Sequence, residues 1–195
     1  MYHIANDLRA KKSAELICQG LEECLKEMPL NKIHIVDIYK KCFVSRATFY
    51  RLFDTIEDVF AYECDLIRED TMKAVKTAKF KNKNEEVLFC IKRWLKHETL
   101  IKAMIDNRLV GILYDSHMRN AESLKEFYAI YYENDTQFNC FLSLLISIIF
   151  AALSIYFKEK GKTSVEEVFE AICYNTSKII DSWKSGVTYS HHLFH

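Results

Sequence analysis

The sequence predicts an all-α protein, and three observations carry that expectation. Glycine and proline, the residues that break helices, number only 4 and 1 in 195 residues. Hydrophobic residues make up 50% of the chain, enough for a sizeable core. Apolar residues recur at three- and four-residue steps, and nowhere does the alternation of a strand persist.

A first long helix is expected over SAELICQGLEECLKE (13–27), with Pro29 placed where a stop is wanted. Ile35, Ile38 and Tyr39 then form the i, i+3, i+4 set of a short second helix. Val44 points inward, and Ser45 is a good N-cap for a third helix over 46–53. Phe49, Leu52 and Phe53 share the inner face of that helix, which turns Arg46, Ala47, Thr48, Tyr50 and Arg51 outward. Such a front suits a DNA major groove. Arginine reads guanine edges, Thr and Ala touch thymine methyls, and Tyr reaches a phosphate.

The segment from about Lys12 to Tyr62 resembles the N-terminal DNA-binding domain of the TetR/AcrR family of transcriptional regulators. The residues that carry the resemblance are the long first helix, the set Ile33, Ile35, Asp37 and Ile38, and the run VSRATFYRLF followed by a new helix at Ile56. The resemblance implies an N-terminal three-helix DNA-binding domain (1–55), containing a helix-turn-helix, and a C-terminal helical effector-binding and dimerisation domain (56–195). Departures from the family pattern are specific. Phe43 stands in the turn where glycine is usual, and Tyr39 where a small alanine lets two helices approach. His34 replaces a capping, phosphate-touching threonine, and Ile56 a phosphate-binding lysine. The DNA-contact candidates are therefore His34, Lys41, Ser45, Arg46, Ala47, Thr48, Tyr50 and Arg51.

Charge agrees locally though not globally. The 27 basic and 27 acidic residues cancel. Between Leu30 and Phe53, however, Lys32, Lys40, Lys41, Arg46 and Arg51 face the single acid Asp37, while Arg9, Lys11 and Lys12 are expected as a basic arm before the first helix. A local basic face is what an electrostatic footprint needs.

Thr55 and Asp58 make a capping box for a helix running from Ile56 toward Phe80, and 79–84 reads as a loop. A helix over 85–97 shows Val87, Leu88, Ile91, Trp94 and Leu95 on one stripe, and shorter pieces are expected over 99–105, 110–118 and 121–132. Residues 138–157 are nearly all apolar, the length of a membrane span. Interspersed Ser143, Ser147 and Ser154, and the lack of a second such run, favour a helix buried against its own domain and a second copy. Ser164 and Glu167 form another capping box, opening a last helix with Val165, Val168, Phe169, Ile172, Ile179 and Trp183 on its apolar side. The two C-terminal helices are similar in layout to the pair through which the family dimerises, which implies a homodimer on palindromic operator DNA.

The resemblance further implies a small-molecule effector held between the middle helices. Trp94, His97, Tyr114, His117, Met118, Phe127, Tyr128 and Tyr131, with Phe138, offer aromatic walls and a few polar tips for it. Aromatics at helical spacing are also ordinary core. No cofactor or metal is expected. Seven cysteines without a CxxC pair read as buried thiols in a reducing compartment, and no signal peptide is visible, so the expected location is the cytoplasm, with no membrane partner. No GxSxG, glycine-rich phosphate loop, HExxH or DxDxDG motif occurs. Cys90, His97 and Asp106 lack the spacing that would favour a thiol triad, and His191, His192 and His195 read as a frayed tail. The expectation is a one-component repressor and not an enzyme. A co-regulator of the same fold acting through protein contact is the alternative, motivated by Phe43, Tyr39, His34 and Ile56.

Overall fold

The computed structural model describes residues 2–4, 7–128, 132–159 and 162–184, apart from the side chains of Glu126 and Phe127. Among the described residues the protein is all-α, with ten α-helices, one 3-10 turn and no strand. Helix α1 (Leu8–Glu27) starts earlier than its apolar pattern, because the Asp7 side chain accepts from the Arg9 N–H at 2.7 Å and Ala10 and Ala14 are buried. Arg9, Lys11 and Lys12 therefore ride on its first turns and do not form an arm ahead of it.

Helices α2 (Ile35–Lys41) and α3 (Arg46–Leu52) follow, joined by a turn at Phe43, whose φ of 55° lies in the left-handed region. Helix α2 crosses α1 at Gly20. A Cβ there would stand 2.9 Å from the Ile38 carbonyl oxygen and 3.0 Å from the Cys42 Cβ, so only glycine permits this approach. Beneath α3, Phe49 and Phe53 are fully buried and pack on each other, and Phe53 meets Tyr62, which in turn touches Tyr2 edge-on. Each such aromatic removes enough area from water to stabilise the fold by about 1.5–3 kcal/mol.

Helix α4 (Ile56–Thr77) opens with the reciprocal Thr55–Asp58 cap read from the sequence. The loop after it is shorter than the composition suggests: Asn82 accepts from the Glu85 N–H at 3.0 Å and starts α5 (Lys83–Leu95) at once. Helices α6 (Glu98–Asp106), α7 (Val110–Arg119) and α8 (Ala121–Tyr128) come next. Asn134 caps α9 (Asp135–Lys158), lengthening it beyond the apolar run, and Ser164 and Glu167 cap each other at the start of α10 (Val165–Lys184).

One apolar cluster runs without a break from α1–α3 through α4–α7 to α9 and α10, and a smaller one joins α8 to α9 through Leu124, Tyr128, Phe138, Leu142 and Ile146. Helix α9 is long and apolar enough to cross a membrane, with a mean hydropathy of 2.4. Its Leu142, Ile146, Ile149 and Leu153 are nonetheless buried in the protein's own core. Its other face is open, with Leu144 66% exposed, and α10 also leaves large apolar side chains exposed, among them Tyr174, Ile179, Ile180 and Trp183.

Candidate functional site

Among the described residues, two places stand out as candidate sites: the outer face of α3 and a cavity along α4. The Ser45 hydroxyl accepts from the Thr48 N–H at 3.0 Å and pairs with the Thr48 hydroxyl at 2.9 Å, so both hydroxyls are engaged in the cap. Arg46, Ala47, Tyr50 and Arg51 are exposed, and the Arg46 guanidinium lies 5.5 Å over the Tyr50 ring. His34 is exposed at the start of α2, where its N–H is held by the Asp37 carboxylate at 2.9 Å. Lys41 is less available than the sequence suggests, because its ammonium is ion-paired with Glu27 at 2.5 Å. Phe43, 96% exposed, projects from the turn between α2 and α3.

The cavity is narrow, about 30 Å³. Its walls come from α4 (Arg68, Thr71, Met72), α5 (Val87, Cys90, Trp94), α8 (Leu124, Tyr128) and α9 (Leu142, Leu145, Ile146, Ile149), with Glu86 and His117 at its margins. Arg68 is only 5% exposed, and its Nε has no hydrogen-bond partner among the described residues; the same holds for the Thr71 hydroxyl. Burial pushes His117 down to about 4, with the Arg68 charge adding to the effect, so the ring is neutral at physiological pH. The Leu113 carbonyl, 2.9 Å from Nδ1, can only accept, which assigns the proton to Nδ1. Burial likewise pushes the Cys90 thiol up to about 12, leaving it protonated.

Next to the cavity, Asp65 gathers four donors: the Tyr2 hydroxyl at 2.5 Å, the Ser116 hydroxyl, Arg119 at 3.2 Å and Asn120 at 3.3 Å. Arg68 approaches the same carboxylate only to 4.0 Å, outside hydrogen-bond reach.

Of the residues named for an effector, Trp94, His117 and Tyr128 line the cavity. His97 and Tyr114 are exposed, with the Tyr114 hydroxyl paired to Ser143 at 3.0 Å, and Met118 packs on the α8–α9 cluster. Phe138, buried in the same cluster, is core. The Phe127 side chain, Tyr131 and the terminal histidines lie outside the described residues. Sequence reasoning missed Arg68 and Thr71. Their signal was present: both interrupt the stripe Phe60, Cys64, Ile67, Val75 on the inner face of α4. Among the described residues no three His, Cys, Asp or Glu side chains come together as a metal site.

No protein-family model matches the chain, and no curated protein matches it in sequence. The fold is shared with a solved structure, Lin0861 from Listeria innocua. That likeness has a TM-score of 0.70 at 18% identity and covers 91% of this chain and 96% of that one. At that identity it speaks for the fold alone.

Proposed function

We propose that the chain is a one-component transcriptional regulator of the TetR-like kind, acting in the cytoplasm as a repressor. In this reading a homodimer presents two copies of α3 to a palindromic operator and releases it when a small molecule occupies the cavity. The observation that carries the proposal is the construction of α3. It is a short capped helix, anchored by three buried residues (Phe49, Leu52 and Phe53), that leaves Arg46, Ala47, Tyr50 and Arg51 free to meet a groove. Support for the dimer comes from the large apolar side chains that both α9 and α10 leave exposed, Leu144 and Trp183 among them. Support for coupling comes from α4, whose first turn follows α3 directly and whose middle lines the cavity.

Fluorescence anisotropy on the protein's own upstream DNA, at two salt concentrations and against a scrambled duplex, tests the proposal. Tight, sequence-dependent binding that weakens with salt is expected. Arg46→Ala should then cost about 1–3 kcal/mol of specific binding if Arg46 reads a base. An unchanged curve removes it from the reading head.

A second reading, an adaptor working by protein contact, is favoured by one observation: the α2–α3 tip carries the bare Phe43 ring, while nearby Lys41 is tied to Glu27. Equal, weak binding to both duplexes would favour it.

A further inference from the structure

We infer that the α4–α5–α8–α9 cavity is a receptor for a small amphipathic carboxylate, with Arg68 and Thr71 taking its head group and the apolar walls its tail. This rests on the regulator reading only for its consequence, not for the binding itself. A buried guanidinium is stable where its donors are satisfied, and removing a charge from water without partners is strongly unfavourable. Arg68 meets that cost poorly. Its Nε is closed off and unpartnered, Asp65 is 4.0 Å away and already holds four donors, and Glu69, largely exposed, stands 3.8 Å from its terminal nitrogen.

The neighbouring charges do not replace an anion. Asp65 is shared between two guanidiniums, Arg68 and Arg119, and Glu86 is neutralised by Lys83 at 2.6 Å. The Thr71 hydroxyl, three residues along the same helix face, is a second unpartnered polar group on the same wall. A planar guanidinium beside a hydroxyl fits a carboxylate, which accepts from both. Everything else on α8 and α9 that borders the cavity is aliphatic or aromatic, so the remainder of the ligand must be apolar.

The space as it stands holds roughly two water molecules, so the tail makes its own room. Met72, unbranched and adaptable, is the wall that can move. Such a ligand is short, and its entry pushes on α4 near Arg68 and Thr71.

Calorimetry with butanoate, hexanoate and octanoate, each against the primary alcohol of the same length, tests the inference on the intact protein. The acids are expected to bind about tenfold or more tighter than their alcohols. Arg68→Met should erase that preference, and the milder Thr71→Val should reduce it while leaving the melting temperature near that of the parent. Acids and alcohols binding equally, or no acid binding at all, would overturn the carboxylate receptor. Anisotropy on the DNA complex separates the two ideas. Acid that binds the free protein and is ignored by the DNA complex leaves the receptor standing and sinks the effector role. DNA binding that persists in a protein that takes no acid sinks the receptor and leaves the regulator reading standing.

Discussion

Glu63 carries a carboxyl oxygen, Oε2, that is sealed from solvent and has no hydrogen-bond partner among the described residues, although the residue as a whole is half-buried. Burial pushes it from 4.5 up to about 8, with the nearby Glu22 adding to the shift. The native state thus keeps a proton that the unfolded chain releases. The contribution of Glu63 to stability should fall as pH rises from the unfolded value of 4.5 to about 8, and change no further above that. Glu63→Gln should remove this slope, so its gain in melting temperature is expected to be larger at about pH 9 than at about pH 5. Parallel melting curves for both proteins across that range would contradict the assignment. This residue, like Arg68 and Thr71, shows where sequence reading stops. A polar group on a helix pattern is visible in the sequence, but whether its atoms find partners depends on the helices packed against it.

The helices themselves were legible because their ends are written in short-range chemistry. Thr55 with Asp58, and Ser164 with Glu167, form the reciprocal caps that their spacing dictates. The boundaries that shifted, at Asp7, Asn82 and Asn134, each moved to a side-chain cap lying outside the apolar pattern. Helix contact was harder to read. Gly20 sits in the middle of α1, where glycine costs up to about 1 kcal/mol relative to alanine. Its role became visible only when α2 was seen against it. Gly20→Ala should therefore destabilise the protein by about 1–3 kcal/mol, the range for overpacking, despite its better helix propensity. Urea unfolding checks this. A stabilised variant would mean that α2 shifts away freely.

At the scale of the whole molecule, α9 and α10 both leave large apolar side chains open to solvent, Leu144 at 66% exposed and Trp183 at 76%. Leu144→Asp should lower the mass in solution scattering from two copies to one at micromolar protein, while the helix signal in circular dichroism stays. A wild-type protein that is already monomeric there would remove the dimer and, with it, the paired reading heads. The all-α class came directly from composition. The cavity did not, because it forms where α4, α5, α8 and α9 meet, and no stretch of sequence contains it.

The Asp65 cluster also sets an order in time. Tyr2 waits through 63 residues of chain for Asp65, and the carboxylate waits through another 55 for Asn120. During synthesis the segment around Tyr2 is exposed early and can be fastened once α4, which carries both Asp65 and Tyr62, has left the ribosome; Ser116, Arg119 and Asn120 reach the same carboxylate only later. A ribosome stalled before α4 would hold a chain whose Tyr2 segment a protease can reach, and the same segment should resist it once α4 is free.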